Sequence, residues 1–100
     1  MDKDSILKGL DGFSKLAKQD LLMSVNTENP DYWKKNAEAR HSKYKELYKS
    51  IEEKGLEETI KLAIEEYKSL ITDENDPELR GKKRALESFF ILLGLDPSQL

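Results

Sequence analysis

Glu38-Ala39-Arg40-His41 sets a carboxylate and an imidazole three residues apart, on one side of any helix that contains them. That Glu-x-x-His spacing supplies two ligands to carboxylate-bridged dimetal sites in helical bundles. A complete site needs a second such motif and two further glutamates, and His41 is the chain's single histidine. Only a dimer would assemble it, so the simpler expectation is a histidine that packs or caps on an aromatic helix face. Glu57-Glu58 and Glu65-Glu66 raise the same question for magnesium. Consecutive helical residues point in different directions, and no Gly-rich phosphate loop accompanies them, so a solvated acidic face accounts for both pairs. No metal or cofactor is expected. Glu38 and His41 are the residues a metal-dependent helical enzyme would have to use.

Arg80-Gly81-Lys82-Lys83-Arg84 brings four basic groups into five residues, enough to touch phosphates at the start of a helix. At helical spacing Arg80 and Arg84 share a side, from which Lys82 and Lys83 are expected to diverge. The cluster lacks interleaved aromatics and sits in an acidic chain, so a solvated surface is the simpler expectation and nucleic acid the alternative. Nucleophilic catalysis has no support: there is no cysteine, no G-x-S-x-G elbow, and nothing to orient the one histidine as a base. The expectation is a protein that is not an enzyme.

Charge narrows the classes further. The net charge is −3, with 20 acidic against 17 basic residues. Residues 56–77 hold seven acidic and two basic residues, and the basic cluster follows directly. The absence of cysteine removes disulfides and thiolate metal sites and fits a reducing, cytoplasmic setting. No apolar run approaches the roughly 18 to 20 residues that span a bilayer, so no membrane partner is expected.

The elements that position these residues follow from periodicity and punctuation. Asn29-Pro30, Asp76-Pro77 and Asp96-Pro97 are helix starts: the first residue accepts from free amides, and proline at the first helical position needs no amide. Ile6, Leu10, Phe13, Ala17 and Leu21 recur at helical spacing, widened by Leu7, Leu16, Met23 and Val25. Trp33, Ala37, Tyr44, Leu47, Tyr48 and Ile51 form a second face, with His41 on it. Leu56, Ile60, Ala63, Ile64, Tyr67, Leu70 and Ile71 form a third, and Gly55 between the two predicts an αα-hairpin. Leu79, Leu86, Phe90 and Leu93 form a fourth, flanked by Ala85 and Phe89 and closed by a Schellman stop at Gly94 with Leu95 folded back. The fold class is all-α: a small four-helix, bundle-like domain over 1–100 with a central αα-hairpin. Its helices are predicted at about 4–25, 30–54, 56–72 and 77–93, with a short C-terminal cap at 96–100.

The sequence ends on FFILLGLDPSQL. This has the look of the first helix and turn of a helix-turn-helix, followed by the start of a helix with only four residues left. Either a docked cap or a segment of a longer protein would produce such an ending. Phe89 to Leu93 are consecutive and so face all sides of a helix, which requires central packing or a covering partner. The leading expectation is a non-catalytic protein–protein interaction or regulatory domain. It would self-associate or bind a partner through Phe89, Phe90, Ile91, Leu92 and Leu95. The alternative is a nucleic-acid-associated accessory protein using Arg80, Lys82, Lys83 and Arg84.

Overall fold

Three of the helices begin where a short polar side chain takes up free amides. The computed structural model describes residues 2–71 and 73–100. Asp2 accepts from the Ser5 amide at 2.8 Å and opens α1, Lys3–Met23. Asn29 accepts from the Tyr32 amide at 3.3 Å and opens α2, Pro30–Lys54. Asp76 accepts from the amides of Glu78 and Leu79 at 3.0 and 3.2 Å and opens α4, Pro77–Leu92. α3, Leu56–Ser69, starts from Gly55 without a side-chain cap. The third Asx-Pro pair also works: Asp96 accepts from the Ser98 amide at 2.9 Å, and Pro97–Gln99 form a single 3-10 turn.

Two glycines have the positive φ that their turns require, Gly55 at 89° and Gly94 at 82°. At Gly94 the Schellman pattern is complete. The Leu95 amide donates to the Phe90 carbonyl, and the Gly94 amide donates to the Ile91 carbonyl, both at 2.9 Å. Other ends differ from the predicted ones. After Met23 the chain tightens into a 3-10 turn, Ser24–Asn26, with Ser24 Oγ donating to the Leu21 carbonyl at 2.7 Å. α3 stops at Ser69 because Leu70 turns extended, at ψ 129°. The predicted end of α3 at Thr72 lies outside the described residues.

α2 is the element the other three helices share, packing against α1, α3 and α4. Its hairpin with α3 is sewn by polar contacts: Ser50 and Thr59 hydroxyls lie 2.8 Å apart, and Lys43 Nζ donates to Glu66 at 2.9 Å. The buried core gathers Ile6, Leu10 and Ala17 from α1, Tyr44, Leu47 and Ile51 from α2, Ala63 from α3, and Ala85, Leu86, Phe89 and Phe90 from α4. Several predicted core positions are exposed instead: Leu16, Met23, Val25 and Ile71, the last at 78%. They flank the buried stripes: Leu16 lies to one side of the Ile6, Leu10 and Ala17 line on α1, and Ile71 follows the end of α3.

At Gly81 α4 comes up directly against α2. A Cβ there would lie 2.5 Å from the Asn36 carbonyl oxygen and 2.8 Å from the Ala39 Cβ, so α4 rests directly on the α2 backbone. Because the obstacle is main chain, only separation of the helices would relieve it. Gly12, in α1, has nothing within 4 Å of its virtual Cβ. Gly81→Ala is therefore expected to lower unfolding free energy by about 1–3 kcal/mol despite the better helix former. Gly12→Ala should raise it by up to about 1 kcal/mol. Urea denaturation of the two variants checks this; equal gains at both positions would contradict the packing.

Candidate functional site

Between α2 and α4 runs an open groove of about 380 Å³, lined by Trp33, Asn36, Arg40, Glu74, Arg80, Lys83, Arg84 and Glu87. Its floor is polar and ordered. Buried Asn36 donates through Nδ2 to the Pro77 carbonyl at 3.3 Å, tying α2 to the first turn of α4. The same side chain accepts through Oδ1 from Arg40 Nε at 2.9 Å. Arg40 in turn forms a 2.8 Å ion pair with Asp20 on α1, its side chain only 17% exposed. One line of contacts thus crosses three helices beneath the groove.

The α4 wall carries the charge. Arg80, Lys83 and Arg84 sit at i, i+3 and i+4 and line the same groove. The Arg80 guanidinium donates to the Tyr32 hydroxyl at 3.1 Å, and that hydroxyl donates to the Glu74 carbonyl at 2.9 Å. The ion pairs among the described residues involve Lys15, Arg40, Lys43 and Lys49, so none uses Arg80, Lys83 or Arg84. Of the two carboxylates in the groove, Glu87 already accepts from the Tyr67 hydroxyl at 2.9 Å. Burial and this neighbouring carboxylate push the Tyr67 phenol above its ordinary value. Among the described residues, the groove therefore presents three cations without carboxylate ion-pair partners.

Trp33 stands at the groove's edge, 41% exposed, with the Tyr32 ring edge-on at 5.1 Å. It and Arg40 also line an adjoining depression of about 280 Å³ with Asp20, Met23 and Thr27. Trp33 thus borders both a basic cup and a more apolar one. Compared with protein families, curated proteins and solved structures, the chain matches none.

The residues expected to do chemistry are distributed unevenly. Lys83 joins Arg80 and Arg84, contrary to the expected divergence, because positions three and four apart share a helix face. Lys82 faces away, into a separate depression with Lys35, Glu38, Glu46 and Glu78. Exposed Glu38 lies there too, and half-buried His41 follows it one turn along α2. No group of three metal-ligating side chains occurs among the described residues. Phe89 and Phe90 are fully buried within the chain and offer no surface to a partner. Burying such a side chain contributes about 1.5–3 kcal/mol, and the monomer itself takes that gain. Leu92 is half-buried against the Gly9 side of α1, leaving Ile91 at 66% and Leu95 at 36% exposed. Periodicity places Trp33 on the apolar stripe of α2 and gives Arg40 no site role. The polar residues Asn36 and Arg40 recurring on the Trp33 stripe were the available signal that this stripe is not all core.

His41 is held below the ordinary histidine value, first by lost hydration and then by the charges of Lys45 and Lys18. The unfolded chain consequently binds a proton that the folded chain resists. This contribution is intact above pH 6.5 and is lost as pH falls through the unfolded value toward the folded one. Between pH 7.5 and about pH 5.5 the wild type should lose more thermal stability than His41→Gln. Parallel Tm curves for the two would contradict this.

Proposed function

We propose that this chain is a non-catalytic binding domain whose working surface is the α2–α4 groove and whose partner is anionic. The observation that carries this is the set of three cations on one face of α4, free of carboxylate partners, opposite an exposed tryptophan. Guanidinium groups suit phosphate and carboxylate oxygens because their donors are fixed in a planar fork. The ordered floor holds the groove open without a ligand: Asn36 and Arg40 spend their hydrogen bonds on Pro77 and Asp20, not on the space above. Preorganisation of this kind lowers the ordering cost of binding.

This relocates the interaction surface from the apolar end of α4 to its basic flank. A second reading, self-association, keeps one supporting observation, the exposure of Ile91 and Leu95. They offer a smaller surface than the five consecutive apolar residues suggested.

Heparin retention tests the proposal. The wild type should be retained and elute with salt. Lys83→Glu/Arg84→Glu should pass in the low-salt wash, whereas Lys82→Glu, which faces the other depression, should elute close to wild type. Equal losses in both variants would mean diffuse charge attraction and would overturn the groove as the working surface.

A further inference from the structure

Resting on the groove reading, we infer that the anionic partner is a single-stranded nucleic acid, with phosphates on Arg80, Lys83 and Arg84 and a base stacked on Trp33. Three features select this occupant. First, the cations and the indole share one groove of about 380 Å³, within the roughly 300–1,000 Å³ of clefts that take small ligands or single residues of a polymer. Second, Trp33 and Arg40 also line the adjoining depression beside Asp20, Met23 and Thr27, so the surface is a track of two cups that share the tryptophan. A strand of alternating phosphates and bases matches such a track. Third, stacking on an exposed indole requires an unpaired base, since duplex bases cover each other's faces.

An acidic peptide satisfies the cations but supplies nothing flat for Trp33. A duplex satisfies the cations and leaves Trp33 outside the stack. α4 is not placed as a major-groove reader: its start is pressed onto α2 at Gly81, and its Arg80–Arg84 face looks into the groove. Glu74 and Glu87 share the groove and limit its net charge, so the fit is to a few phosphates.

Trp33 is the chain's one tryptophan, so its emission reports on this site alone. The experiment titrates the full chain with a mixed-sequence single-stranded DNA 12-mer and its RNA equivalent. A duplex of the same length and poly-glutamate serve as rivals. Quenching of Trp33 by a single strand is expected, with affinity falling about 20-fold from 50 to 200 mM salt if three phosphates are neutralised. By anisotropy of a labelled 12-mer, Trp33→Leu should weaken binding about tenfold. Lys83→Glu/Arg84→Glu should abolish it and Lys82→Glu should not, each variant keeping the wild-type circular dichroism spectrum. Duplex binding as tight as the single strand, or a Trp33→Leu variant that binds like wild type, would overturn the single-strand inference and leave the groove reading standing. Poly-glutamate binding as tight as the oligonucleotide would overturn it in favour of an acidic protein. Failure of every polyanion to bind would overturn both.

Discussion

The arrangement depends on the contact at Gly81, where the absence of a side chain lets α4 lie on the backbone of α2 beside Asn36 and Ala39. This contact fixes the depth and register of the crossing. With the helices this close, the Pro77 carbonyl comes within reach of Asn36, and Arg80 comes within reach of Tyr32. The residue after Asp76-Pro77-Glu78-Leu79-Arg80 must therefore be glycine for packing reasons, although a glycine in a helix weakens it by about 1 kcal/mol relative to alanine. Directly beyond Gly81 the helix turns Lys83 and Arg84 toward Trp33 and Lys82 away. The placement of the basic face thus follows from a steric requirement one residue long.

Around that crossing the helices are held by contacts of different character. α1 and α4 share aliphatic and aromatic core with α2, including Phe13 against Tyr44 at 5.3 Å between ring centroids. α3 relies more on polar links. Lys43, only 6% exposed, places Nζ 2.8 and 2.9 Å from the two Glu66 oxygens and 3.2 Å from Glu46. Only the lysine end is buried, the Glu66 and Glu46 side chains being 35% and 67% exposed, so these pairs set position more than they add stability. Tyr67 extends the same helix to Phe90, edge-on at 5.3 Å, and to Glu87. α3 thereby orients one of the groove's two carboxylates.

Most of the fold was legible because its signals are local. The Asx-Pro pairs mark three starts, Gly55 and Gly94 mark two turns, and the apolar spacing marks four faces; each depends on residues within a few positions of one another. What was not legible depends on packing between distant segments. Phe89 to Leu93 announce an all-round apolar helix end, but only the fold decides that Phe89 and Phe90 belong to the core and Ile91 to the surface. The basic cluster is visible in sequence, while its aromatic partner lies 47 positions before Arg80 on another helix. Lys43 and Asn36 are polar by type and buried by position, because partners on other helices satisfy them. Composition alone cannot anticipate that.

The central claim is that α2 and α4 together make one nucleic-acid-binding groove, with Trp33 and the Arg80–Arg84 face acting as a unit. The most direct measurement is a nitrogen–proton correlation spectrum of the labelled chain during titration with the single-stranded 12-mer. The Trp33 indole N–H and the Arg80 and Arg84 side-chain N–H signals are predicted to shift together, along one saturation curve, while the amides of α3 remain still. Shifts confined to Ile91–Leu95, or a Trp33 signal unmoved while the arginines respond, would contradict the account.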